Sequence, residues 1–340
     1  MSYYCKHIIN DNEKDWEELV KKSPAGGFHQ AFSWSKFKQW DNWDSYKIGI
    51  FDTSTDKLCG GCIAYSFECT KETNFIYIPE GPILDYENEE ELFWQWRSLE
   101  TAIHSIIEIS AKMRTTHLRM EPRVESIPSW MLLGWKKSPL NLQPRHTRVI
   151  DLETKEEEIL AAMKQKCRYN IRLAEKKNVR VYKASWSELP KFYKLYEDTA
   201  KRDGFDCKQI RFFEGLVQSM KSELELYITE SAEGIPLASA LVVNFGDRAT
   251  YLYGASSNEN RNLMGPYALH WHIMKEAKKN GYKEYDLWGV APSLTDEAHD
   301  WHGLSVFKAG FGGKHLSFAG AYDYILQPEE YKAFVGKYES

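Results

Sequence analysis

The sequence predicts an α/β protein with mixed sheets, arranged as two tandem, similar halves, on three observations. The chain has 340 residues, enough for two cores. Apolar residues make up 43% and charged residues 27%, with 12 Trp, 20 Tyr and 16 Phe, which is ample material to bury and excludes a disordered chain. The order strand, loop, helix, strand occurs twice.

In the first half, residues 74–79 read as a strand, Gly81 and Pro82 as a turn, residues 89–113 as a helix and residues 116–121 as a second strand. In the second half, residues 249–253 read as a strand and a loop follows through Gly265 and Pro266. A helix over 267–280, a stop at Gly281 and a strand over 284–288 complete the unit. A strand that crosses through one helix to a parallel neighbour is a βαβ unit, so each half is expected to be an α/β layer, with a cleft between the two. The boundary is placed in the polar, Pro-containing stretch 142–147, and residues 148–152 read as the first strand of the second half. The expected domains are 1–147, completed by 316–340, and 148–315.

Lys and Arg total 44 against 49 Asp and Glu, a net charge of −5, which excludes a general attraction to nucleic acid, DNA included. Residues 164–180 are the local exception, with seven basic residues and one acid; Cys167, Ile171 and Ala174 recur there at helical spacing. Such a run is either a solvated face or a phosphate-binding edge. The N-terminus has no apolar signal-peptide core and no later stretch is apolar enough to span a bilayer, so the expected compartment is the cytoplasm and no integral membrane segment is expected. Cys59 and Cys62 have the spacing of a metal knuckle but no second pair, and read as reduced thiols. His270 and His272 cannot share a helix face, whereas His299 and His302 can, beside Asp296, Glu297 and Asp300; no metal site is expected.

Acyltransferases of the GNAT type hold a pantetheine cofactor on a Gly-rich loop before the central helix. The corresponding stretches here, 262–267 and 81–85, contain Pro and lack closely spaced glycines, so no acyl-CoA or other cofactor is expected. Five stretches then carry a resemblance over nearly the whole chain: Phe32-Ser-Trp-Ser-Lys-Phe-Lys38, Leu142-Gln-Pro-Arg145, Tyr251-Leu-Tyr-Gly-Ala-Ser256, Tyr285-Asp-Leu-Trp-Gly289 and Gly303-Leu-Ser-Val-Phe-Lys-Ala-Gly-Phe-Gly-Gly313. In order and spacing they resemble the FemABX family, double GNAT-like enzymes that pass an amino acid from aminoacyl-tRNA to a peptidoglycan precursor. Without a sustained heptad arm, the chain is similar to the armless FemX type.

The resemblance implies an acyl transfer in which a stem-peptide amine of UDP-MurNAc-pentapeptide or lipid II attacks the aminoacyl ester. The lack of an amphipathic membrane segment favours the soluble precursor, and a monomer is expected. Lys308, with Phe307, matches the family position held to stabilise the oxyanion. Taken alone, Lys308 would read as a surface lysine near a strand end. Lys36, after Trp34, matches the lysine that meets the precursor diphosphate. Lys208 and Phe212 stand where relatives carry an Arg and a Tyr on a helix, a departure for which Arg211 can compensate. Tyr253 matches a stem-peptide contact, with Tyr251 expected on the same strand face. Glu121 matches a family acid that binds substrate or assists proton transfer. Lys164, Lys166, Arg168, Arg172 and Lys176 form the expected tRNA-facing helix, and Tyr169 is placed to stack on a base. Two other functions are weighed: an N-acyltransferase with another activated acyl donor, and a non-catalytic binder of tRNA or precursor.

Overall fold

The computed structural model describes residues 2–8, 12–109 and 114–339. The chain divides into two compact units, Met1–Arg145 with Phe318–Ser340, and His146–Ser317.

The first unit runs β1 (Tyr3–His7), α1 (Glu13–Lys22), α2 (Phe32–Trp40), β2 (Asp44–Asp52), β3 (Leu58–Glu68), β4 (Thr73–Pro79), α3 (Glu89–Ile109), β5 (Arg114–Glu121) and β6 (Trp135–Lys137). The second runs β7 (His146–Asp151), α4 (Glu156–Ala162), α5 (Gln165–Lys176), β8 (Arg180–Ala184), α6 (Leu189–Asp203), α7 (Ile210–Met220), β9 (Leu224–Glu230), β10 (Pro236–Phe245), β11 (Arg248–Ser256), α8 (Gly265–Lys279), β12 (Glu284–Gly289), α9 (His302–Ala309) and β13 (Lys314–Ser317). The chain then returns to the first unit as β14 (Tyr322–Ile325) and α10 (Pro328–Glu339).

Among the described residues each unit holds a seven-stranded mixed sheet, in the order β1-β2-β3-β4-β5-β14-β6 and β13-β7-β12-β11-β10-β9-β8. In both, the parallel pair is the one joined by a crossover helix: β4 with β5 through α3, and β11 with β12 through α8. Leu92, Trp96, Leu99 and Ile103 recur every three or four residues on α3 and are buried against the first sheet. Leu269, Ile273, Met274 and Ala277 do the same on α8 against the second. Gly281, with φ +86°, supplies the left-handed turn that ends α8, as its sequence position predicts. The end assigned to the first crossover helix, residues 110–113, lies outside the described residues.

Two local expectations are corrected. The basic helix stops at Lys176, because Asn178 adopts a left-handed φ of +55°, and Arg180 opens β8. The helix after Gly265 starts at that glycine, with Pro266 inside its first turn, where the missing N–H costs nothing.

Candidate active site

The second unit's parallel pair opens towards its C-terminal end. β11 and β12 pair at Arg248, Ala249 and Thr250 with Glu284, Tyr285 and Asp286 and no further, while β11 continues beside β10 to Ser256. β12 turns away through a bulge: Asp286 faces Val149 of β7, but Gly289 faces Thr147, so β12 carries one extra residue. The buried Asp286 carboxylate organises it by accepting from the Trp288 amide at 2.8 Å and from the Thr147 hydroxyl. Trp288 sits at φ +63°, a costly conformation for a bulky side chain and one that concentrates at functional sites. In open α/β sheets the C-terminal ends of diverging strands are where ligands bind.

Lys308 enters this opening from α9. The helix is tied down by Ser305, whose hydroxyl accepts the Ala291 amide and donates to the Trp301 carbonyl, both at 2.7 Å. Lys308 is only 3% exposed, so it is neither a surface residue nor at a strand end. Its Nζ donates to the Gly289 carbonyl at 2.7 Å and lies 5.8 Å from the centre of the Tyr251 ring. Burial pulls the ammonium down to about 7, with the Asp286 charge opposing. Phe307 packs edge-on to Tyr267 at 5.1 Å and Phe311 at 5.3 Å. His270 lies 5.5 Å from Phe307 and 4.5 Å from Tyr251, its Nδ1 2.8 Å from the buried Tyr285 hydroxyl. Burial, reinforced by the Lys308 charge, lowers His270 to about 3 and keeps it neutral.

Tyr253 is not on this face. Across the β10–β11 ladder Tyr251 faces Val242 but Tyr253 faces Leu241, so Leu252 is the extra residue of a bulge that defeats the period of two. Tyr251 therefore joins the α8 core, while Tyr253 packs edge-on to Tyr196, Phe212 and Phe213 from α6 and α7. Lys208 precedes α7 rather than riding on it, with Nζ 4.8 Å over the Phe212 ring, and Arg211 is exposed in the first turn of that helix. Tyr253, Phe212 and Lys208 thus gather on the sheet face opposite the one that holds Tyr251 and His270.

On α5, Cys167, Asn170, Ile171 and Ala174 are buried, leaving Lys166, Tyr169, Arg172 and Lys176 exposed on the other side. The exposed Lys164 caps the helix, and its amide donates to the Gly310 carbonyl, two residues beyond Lys308. Arg168 instead donates to the backbone carbonyls of Ala161 and Met163.

In the first unit, Lys36 projects from α2 and pairs with Glu13 at 3.1 Å. Trp34 is a core residue, 5% exposed and packed edge-on to Phe28, His29 and Phe37. Glu121 has both oxygens engaged: Oε1 accepts the Leu142 amide at 2.6 Å, and Oε2 accepts the Gln143 amide at 2.8 Å and the Tyr77 hydroxyl. Burial nonetheless raises its carboxyl above the ordinary value. Among the described residues no cluster of His, Cys, Asp and Glu is placed to hold a metal; His299 accepts the Trp301 amide and His302 lies by the Leu294 carbonyl. No described helix is long and apolar enough to cross a membrane.

From the sequence alone Asp286 and Tyr285 stand out only as members of the stretch 285–289, and His270 only as a metal-ligand candidate that cannot share a helix face with His272. A carboxylate between Tyr285 and Leu287, in the interior of the strand of residues 284–288, was the available signal, since an interior charge demands a partner.

Two tandem mixed-sheet layers with an opened parallel pair define the class of tandem acyltransferase-like folds. The FemAB family profile matches residues 12–123, 132–232 and 217–336, so the chain belongs to the FemAB family. A lipid II:glycine glycyltransferase of Staphylococcus aureus (strain COL) is 24% identical over 408 aligned positions, covering 96% of this chain and 94% of its own. That alignment exceeds the 340 residues here, so the relative carries inserted residues that this chain lacks. The crystal structure of FemX superposes with a TM-score of 0.83 at 23% identity, covering 97% and 99% of the two chains. A tandem GNAT protein from the clavulanic acid biosynthesis pathway shares the fold at a TM-score of 0.54 and 10% identity, covering 95% and 97%.

Proposed function

We propose that this protein is an aminoacyltransferase that adds an amino acid from aminoacyl-tRNA to the stem peptide of a lipid-linked peptidoglycan precursor. The observation that carries the reading is the buried Lys308 amine at the opened end of β11 and β12, in a FemAB-family chain. The name of the S. aureus relatives favours lipid II over the soluble precursor as acceptor.

The stem-peptide amine attacks the ester carbonyl carbon, forming a C–N bond and a tetrahedral oxyanion. The C–O bond to the ribose then breaks, and the proton lost from the amine ends on the ribose oxygen. The ester is already activated, so the chemistry needs charge stabilisation more than an enzyme nucleophile. Lys308 in its ammonium form meets that demand, and its burial, with the Tyr251 ring 5.8 Å from Nζ, limits water around it. Lys36 supplies a point charge for the precursor's diphosphate once Glu13 releases it, while Tyr253, Lys208, Phe212 and Arg211 form a second recognition surface. Lys164, Lys166, Arg172 and Lys176 offer phosphate contacts to the tRNA acceptor arm, with Tyr169 exposed for stacking. Arg168 contributes by fixing the start of that helix. Trp34 and Glu121 act as supports, one beneath α2 and the other holding residues 142–143.

The test is transfer of label from a mixed charged tRNA pool to lipid II and to UDP-MurNAc-pentapeptide, with acetyl-CoA assayed alongside. Label on lipid II supports the full reading, and label on the soluble precursor alone corrects the acceptor. Acetyl transfer without aminoacyl transfer refutes the reading.

A further inference from the structure

Tyr251 is the first residue of β11 beyond the last position paired with β12, so it stands where the strands part. Its ring is braced by His270 at 4.5 Å and lies 5.8 Å from Lys308 Nζ. His270 and the Tyr285 hydroxyl satisfy each other, whereas the Tyr251 and Tyr267 hydroxyls have no protein partner among the described residues; of these two, Tyr251 has the ring beside Lys308 Nζ. Tyr251 is half-buried, so a ligand entering the opening can take the partner that the protein does not supply. Room for it is made by Gly254, where any Cβ would collide with the Tyr251 oxygen; this is a physical reason for the glycine in the Tyr-Leu-Tyr-Gly stretch. Burial holds the phenol above its ordinary pKa, so it remains a proton donor at neutral pH.

We infer that Tyr251 is a second donor of the lysine site, its hydroxyl donating a hydrogen bond to the same ester carbonyl oxygen that Lys308 stabilises as negative charge builds there. The inference rests on the aminoacyl-transfer reading and assigns to Tyr251 what the family resemblance, through Tyr253, does not supply on this face of the sheet. It also accounts for the bulge at Leu252, which turns the two tyrosines to opposite faces.

Tyr251→Phe removes the hydroxyl and keeps the ring, so the brace against His270 survives. With the full chain, charged tRNA and lipid II, kcat is expected to fall about 10- to 100-fold with little change in KM for the precursor. The melting temperature is expected to stay level or rise, because no bond within the protein is lost. Active wild type with an unchanged kcat in the variant overturns the inference and leaves the aminoacyl-transfer reading standing. A melting temperature lowered by several degrees also overturns it, by showing that the hydroxyl serves the fold. No transfer by the wild type to either precursor removes the reading itself, and this inference with it.

Discussion

In the first unit β4 and β5 stay paired from Thr73 with Arg114 to Pro79 with Glu121, and the end of the pair is sealed by Glu121, Tyr77 and residues 142–143. In the second unit the same strand–helix–strand plan lets go after Thr250 and Asp286, and a buried amine stands in the opening. The buried charges differ in the same way. Arg119 of β5 is matched to Asp323 of β14 through two parallel bonds of 2.7 and 2.8 Å, with Ser138 and Tyr331 completing the group. Lys308 has one neutral carbonyl acceptor, and its charge is disfavoured by burial. In the first unit the buried cation is neutralised by a carboxylate of its own sheet, although Arg119 Nη1 and single polar atoms of Asn74, Thr115 and His117 on β4 and β5 have no partner there among the described residues. In the second the buried amine has a neutral acceptor and, among the described residues, no carboxylate bonded to it, which is what a site that must meet a developing charge requires.

The largest expected effect comes from Lys308→Met. It should lower kcat by about two to three orders of magnitude while sparing precursor binding, measured by steady-state transfer and by equilibrium binding. The same variant should melt several degrees higher than wild type at pH 7. The folded protein holds this amine near 7 against 10.5 for the ordinary group, so the unfolded chain binds more protons between those values. Stability from this position therefore rises with pH across that window in the wild type, and the substitution removes the penalty below it. A lower melting temperature would place Lys308 among the stabilising contacts, as in the first unit.

Asp323→Ala should next cost about 3–5 kcal/mol in denaturant unfolding, because it strands the Arg119 charge. A loss below about 1 kcal/mol would erase the contrast between matched and unmatched buried charges.

Asp286→Asn keeps the shape that accepts the Trp288 amide but removes the negative charge that favours the Lys308 ammonium. The alkaline limb of the kcat profile, set by loss of that ammonium above about 7, should move to lower pH, with a kcat loss of roughly 10-fold at pH 7.5. A limb that stays in place would separate Asp286 from the lysine's titration.

The smallest effect should come from Glu121→Gln: about 1–2 kcal/mol of stability, with KM for the precursor unchanged. A clear rise in KM would return Glu121 to substrate binding.

The sequence by itself determined both crossover units. Helical spacing on α3 and α8, apolar strand runs and the stop at Gly281 are local properties, and local periodicity survives without knowledge of the rest of the chain. It also determined the inward face of α5 and singled out Phe307 and Lys308, because both follow from spacing or from an ordered set of short stretches. Tertiary structure alone decided which side chain meets which. A one-residue bulge at Leu252 separated Tyr251 from Tyr253, and another before Gly289 opened the parallel pair; ladder registry between strands distant in sequence leaves no local trace. Burial turned Trp34 into core and gave Glu121 fully engaged oxygens. It also moved Lys308 towards neutrality, because desolvation is a property of everything packed around a group and not of the residue or its neighbours in the chain.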